Sequence, residues 1–128
     1  MLRRAYYRAK SNSNRLLKGL GVTPMQAASV MTLHRQGPLS QADLGRAIGM
    51  EPANVHGLVA RLKKLELIGV EPHPTDQRQV RVALSERGER YAGQLAQLSA
   101  QSADETLAPL APAERDVLME LLGRIALD

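Results

Sequence analysis

The chain has 128 residues, a formal net charge of +4, an isoelectric point near 9.9 and no cysteine. That length supports one compact domain with its own core, and the missing cysteine excludes thiolate metal sites, cysteine nucleophiles and disulfide staples. With three tyrosines and no Phe or Trp, a stacking platform for single-stranded nucleic acid is disfavoured, whereas the basic excess fits an anionic partner.

A first helix is predicted from the recurrence of Leu2, Ala5, Tyr6, Ala9, Leu16, Leu17 and Leu20, with Gly19 and Gly21 ending it. Thr23-Pro24-Met25-Gln26 is a helix-start signal: a cap residue, proline at the first helical position and glutamine at the third. The second helix runs from there to about Gln36, where Gly37-Pro38 stops it. Ser40 caps a short third helix that buries Leu44, Ala47 and Ile48, and Gly49 turns the chain. Pro52 starts a fourth helix with an inward stripe of Val55, Leu58, Val59, Leu62 and Leu65. Ile68 and Val70 open a strand, Pro72 to Asp76 turn it, and Val80, Val82 and Leu84 face inward on the return. Ser85 caps a long fifth helix carrying Tyr91, Leu95 and Leu98, which Pro109 and Pro112 break. A sixth helix carries Val117, Leu118, Leu121, Leu122 and Ile125.

The fold class expected is mainly α with a small β-hairpin wing: a winged helix-turn-helix over residues 23–90, flanked by helices at 1–20 and 91–128, in one unit of 1–128. The apolar stripes of the flanking helices exceed what so small a core covers, so a second copy is the expected partner. Charge is divided between the ends. Residues 1–22 carry Arg3, Arg4, Arg8, Lys10, Arg15 and Lys18 and no acid. Residues 91–128 carry Arg115 and Arg124 against Asp104, Glu105, Glu114, Asp116, Glu120 and Asp128. Opposite signs let the two ends pack on each other. No apolar run approaches the roughly 20 residues of a membrane span, so no membrane partner and a cytoplasmic location are expected.

The fourth helix has the surface of a recognition helix. Pro52, Ala53, Gly57 and Ala60 are compact, which lets a helix backbone approach the floor of the major groove. Asn54 can pair with adenine, His56 can bond a base edge or phosphate, and Arg61 suits guanine or phosphate. A mid-helix glycine costs about 1 kcal/mol against alanine, so Gly57 reads more readily as functional than as part of an ordinary solvated face. In the hairpin, Asp76 precedes Arg78 by two residues and can orient it, with Gln77 between them. An arginine at such a tip fits the negative potential of a narrow minor groove. Arg81 faces outward on the return strand as a further wing contact to DNA, and Ser40, Gln41, Lys63 and Lys64 are placed as phosphate contacts.

LSQADLGRAIGM, VHGLVARLKKL and the DQR–VALSERG wing together resemble the MarR family of transcription regulators, closely over residues 23–91 and in kind over the flanking helices. The family's Asp-x-Arg wing pattern is met by Asp76 and Arg78. The resemblance implies a homodimer built from the first, fifth and sixth helices, and two wings on one pseudo-palindromic operator of double-stranded DNA. It also implies a ligand pocket between the dimer helices and the DNA-binding lobe, for a small aromatic or phenolic acid. Tyr7, Ser29 and His34 are its candidates because they lie on the first two helices. Two departures stand out. Family members usually have glycine where this chain has Glu66, which then needs a permissive backbone. They usually have arginine where it has Val70, so one phosphate or wing-bracing contact is lost.

Other functions are weaker. The sequence has no P-loop, no dinucleotide fingerprint and no nucleophile–base pair, so neither an enzyme nor a cofactor is expected. His73 and Asp76 on one loop offer two ligands where zinc wants four, so no metal site is expected. A winged helix that binds protein, or an architectural DNA-binding module without an effector, is the alternative.

Overall fold

The computed structural model describes residues 1–126, so Asp128 and the end of the expected C-terminal dimerisation segment lie outside it. The element order is α1 (Leu2–Leu20), α2 (Pro24–Gln36), α3 (Gln41–Ile48), α4 (Pro52–Lys64), β1 (Ile68–Pro72), β2 (Val80–Leu84), α5 (Glu86–Leu107) and α6 (Pro112–Ile125). The mainly helical winged helix-turn-helix is therefore present, and the helix boundaries follow local chemistry. Thr23 accepts the Gln26 amide N–H while the Gln26 side chain accepts that of Thr23, a reciprocal capping box. The Ser40 and Ser85 hydroxyls accept the N–H groups of Asp43 and Gly88, satisfying donors that helix starts leave orphaned. Gly19 lies inside α1, and Gly21, at φ 74°, is the residue that ends it.

The core sits in the lobe made by α2, α3, α4, the hairpin and the first turns of α5. Val30, Leu44, Leu58, Leu62, Leu67 and Val82 are its most enclosed side chains. Two expected inward positions are replaced by neighbours. On α3, Ala47 is exposed and Gly45 is buried: a Cβ at Gly45 would stand 2.6 Å from Val55 Cγ2, so the glycine lets α3 and α4 pack closely. After α4, Leu65 is 37% exposed and Leu67 takes the inward place. The reason is the helix end. The Glu66 N–H bonds the Lys63 carbonyl and the Leu67 N–H bonds the Leu62 carbonyl, the two bonds of a Schellman motif with Glu66 at its left-handed position. Glu66 has φ 60°. The departure from glycine therefore leaves the turn intact and places a non-glycine residue in a conformation that costs about 1 kcal/mol or more.

The hairpin is antiparallel with Ile68 opposite Leu84, Val70 opposite Val82, Glu71 opposite Arg81 and Pro72 opposite Val80. Leu39, in the segment before α3, adds a bridge to Val82 through two backbone hydrogen bonds. Val82 is buried, but Val80 is 56% exposed and Val70 is also exposed. The expected inward face therefore ends halfway up the hairpin, because its distal half extends beyond the lobe. α5 begins against the hairpin's root. The Ser85 N–H bonds the Leu67 carbonyl, the Ser85 hydroxyl bonds the Glu66 carbonyl, and a Cβ at Gly88 would fall 2.0 Å from the Leu67 oxygen.

α1 lies along α5. Asn12 donates to Thr106 at 3.0 Å, Arg15 pairs with Glu105, and the Tyr91 hydroxyl donates to the Leu20 carbonyl at 2.8 Å. Burial pushes the Tyr91 hydroxyl's pKa up. The Arg15–Glu105 contact joins the basic N-terminal and acidic C-terminal stretches.

Candidate nucleic-acid interface

α4 separates its two faces cleanly. Val55, Leu58, Val59 and Leu62 are buried, whereas Pro52, Ala53, Asn54, His56 and Arg61 are exposed, with Gly57 half-buried between them. A Cβ at Gly57 would meet only the Arg61 guanidinium, at 3.9 Å. Nothing inside the lobe therefore requires glycine there, unlike Gly45 and Gly88. Lys63 and Lys64 stand exposed on the last turn. At the start of α3, Ser40 is occupied as a cap by the Asp43 N–H at 3.1 Å, and Gln41 is half-buried beside it. A hydrogen bond from Arg46, then one involving Ser40, holds the Asp43 carboxyl below its ordinary value.

The wing loop is ordered by its own side chains. The Asp76 carboxylate accepts the Arg78 N–H at 3.0 Å, and its Oδ1 lies 3.7 Å from Arg78 Nε. The Arg78 side chain is 95% exposed, and Gln77 beside it is exposed as well. Arg78 is thus held at its base and free at its tip. Arg81, expected on the same contact surface, is placed differently. Its side chain is 27% exposed and its guanidinium bonds Glu71 at 2.5 Å, the residue opposite it in the hairpin. Arg81 therefore pairs with Glu71 across the two strands of the wing. The sequence carried a signal for this pairing, an acid and a base at equal distances from the turn, but only the register shows that they face each other.

The three pocket candidates do not converge. Tyr7 is exposed and packs edge-on against Tyr6 at 5.5 Å; the buried Ser29 hydroxyl bonds the Met25 carbonyl within α2; exposed His34 bonds Glu89 of α5 at 2.8 Å. The large cleft lies elsewhere, between α1, α2, α5 and α6, with a volume of about 1120 Å³. Tyr6, Leu17, Leu95, Leu98 and Leu118 give it an apolar lining, and Arg3 and Lys10 also border it. These residues were legible as helix stripes, but their convergence depends on how four helices pack. Among the described residues no three His, Asp or Glu side chains form a metal-binding group, and no helix is long and apolar enough to cross a membrane.

A helix-turn-helix followed by an arginine-tipped hairpin, with an exposed polar and basic face on its second helix, defines a winged-helix DNA-binding protein. The family model described as "MarR family" matches residues 20–79. The chain is 30% identical over 125 residues to the HTH-type transcriptional repressor NicR of Pseudomonas putida, covering 98% of this chain and 79% of NicR. It belongs to the MarR family of DNA-binding transcriptional regulators. Among solved structures it matches Bordetella bronchiseptica BpsR, whose DNA binding is regulated by 6-hydroxynicotinic acid. That match has 30% identity and a TM-score of 0.77, and covers 99% of this chain and 91% of BpsR. Apo MarR from E. coli shares the fold, with a TM-score of 0.86 at 20% identity over 98% of this chain and 94% of MarR.

Proposed function

We propose that the protein is a sequence-specific, homodimeric repressor acting on double-stranded operator DNA in the cytoplasm. α4 enters the major groove with Pro52, Ala53, Asn54, His56, Gly57 and Arg61 toward the bases, and Arg78 enters the adjacent minor groove. Asp76 and Gln77 shape that tip, and Ser40, Gln41, Lys63 and Lys64 meet phosphates. The observation that carries this reading is Gly57: an exposed-face glycine that no neighbour in the protein demands, on a helix otherwise well satisfied. Close approach by an outside surface accounts for it. A dimer places two α4 helices on half-sites about one helical turn, roughly 10 base pairs, apart.

Support for the homodimer comes from α1 and α6, which bury no residue fully and leave Leu2, Val117, Met119, Leu121 and Ile125 exposed. On α6, Val117, Leu121 and Ile125 share one face at helical spacing, and an exposed apolar face of that kind is ordinarily covered. The cleft beneath those helices fits a small aromatic carboxylate: an apolar lining for the ring, with Arg3 and Lys10 for the charge. BpsR's response to 6-hydroxynicotinic acid points to a ligand of that chemistry. A coupling of ~1–3 kcal/mol between effector and DNA would change affinity ~5- to 150-fold.

The test is fluorescence anisotropy with a duplex from the chain's own upstream region, over a salt series and against unrelated duplex. The expected outcome is steep salt dependence, selectivity for the upstream duplex and one dimer per site. Arg78→Ala should weaken binding about 10-fold or more. Lys63→Ala should flatten the salt slope by about 0.9. Equal affinity for both duplexes would leave an architectural DNA binder instead.

A further inference from the structure

We infer that His73 is a positioning residue for the wing: its neutral imidazole sets the loop that aims Arg78, so the wing's grip on DNA depends on His73 remaining unprotonated. The inference rests on the DNA-binding reading above.

The loop between β1 and β2 is closed by backbone bonds from the His73 N–H to the Gln79 carbonyl and from the Gln79 N–H to the Asp76 carbonyl, both 3.1 Å. Inside that frame the His73 side chain turns back on its own backbone. Its Nδ1 lies 3.0 Å from the Asp76 backbone nitrogen, 3.2 Å from that of Thr75, and 3.4 Å from the Thr75 hydroxyl. The two backbone groups can only donate, so Nδ1 is the acceptor and the ring proton resides on Nε2. The bond to Asp76 begins a short chain. His73 fixes the Asp76 backbone; the Asp76 carboxylate accepts the Arg78 N–H at 3.0 Å; Arg78 then projects from the tip. The arginine's aim is thus set two bonds upstream, by a residue that need not itself touch DNA.

An imidazolium has N–H donors at both nitrogens. Protonated His73 would present a proton to the Asp76 and Thr75 N–H groups, and both bonds would be lost. This gives an unusual sign. A histidine acting as a plain surface cation strengthens DNA binding as it protonates, because it adds a phosphate partner. A histidine holding the wing through its neutral form weakens binding as it protonates. The charged groups of the hairpin itself are Glu71, Asp76, Arg78 and Arg81. These do not differ between wild type and a His73 variant, and neither do His34 and His56 elsewhere.

Asparagine carries its side-chain oxygen the same number of bonds from the backbone as Nδ1 of histidine. It commonly accepts backbone N–H groups two and three residues ahead, and it does not titrate. The experiment measures anisotropy with the upstream duplex for wild type, His73→Ala, His73→Asn and Arg78→Ala, from pH 8 to pH 5.5, with thermal melts as a folding control. At pH 7.5 His73→Ala should bind about 5-fold more weakly, the scale of a lost side-chain cap. His73→Asn should stay within about twofold of wild type. As the pH is lowered across that series, wild type should lose affinity relative to His73→Asn, because only the imidazole can gain a proton at the accepting nitrogen. If Arg78→Ala weakens binding while His73→Ala does not, the inference fails and the wing reading stands. If folded His73→Asn is as weak as His73→Ala, or wild type gains affinity over it at low pH, the acceptor role is overturned. If Arg78→Ala binds as wild type does, the wing reading itself falls.

Discussion

The winged-helix lobe and the outer helices dispose of their apolar side chains in opposite ways. In the lobe, residues from α2, α3, α4, both strands and the start of α5 enclose one another, and Val30, Leu44 and Leu62 have no exposed surface. α1 and α6 also carry leucines, yet neither buries a residue fully, and Ile125 is 70% exposed. The lobe completes its core within one chain, whereas the outer helices leave apolar side chains exposed that the proposed dimer would cover. Stability and assembly should therefore respond to different substitutions.

The largest expected effect falls where the two regions join. Gly88→Ala drives a Cβ into the Leu67 carbonyl, and the start of α5 must then leave the wing's root. Overpacking against backbone should remove about 3 kcal/mol of stability, read by chemical denaturation; an unchanged midpoint would show that the join is loose. Leu121→Glu on α6 should weaken self-association by about 2 kcal/mol, while the circular dichroism of the folded lobe persists. Sedimentation across a concentration series checks this, and unfolding together with dissociation would erase the distinction between the regions. Gly57→Ala sharpens it from the other side. Alanine should stabilise the protein by up to about 1 kcal/mol while weakening operator binding, so melting temperature and affinity move in opposite directions. Smallest is Glu66→Gly, which relieves the left-handed backbone for a gain of about 0.5–1 kcal/mol with DNA affinity unchanged.

Much of the candidate site was legible in the sequence because its signals are short-range. Asp76 reaches the Arg78 N–H across two residues, and such a bond follows from spacing alone. The outward row Asn54, His56 and Arg61 follows from the helical period once Val55, Leu58 and Leu62 are assigned inward. The partner of Arg81 was not legible because it depends on cross-strand register, which puts Glu71 opposite it. Val80 was misplaced because alternation tells which face a strand residue takes but not whether anything lies against that face. The pocket candidates lie apart for a similar reason: helix membership fixes a residue's element, not its convergence with others.

The sequence by itself determined the element order, the caps that start α2, α3 and α5, the wing with its Asp76–Arg78 pair, and the polar face of α4. Each rests on contacts between residues a few positions apart, where local geometry leaves few alternatives. The tertiary structure alone decided which apolar positions are enclosed, the exchange of Ala47 for Gly45 and of Leu65 for Leu67, the Leu39 bridge to Val82, and the left-handed Glu66. It also decided that α1 and α6 remain uncovered within one chain. Burial depends on which distant segments arrive at a face, and periodicity describes the face without naming what will meet it.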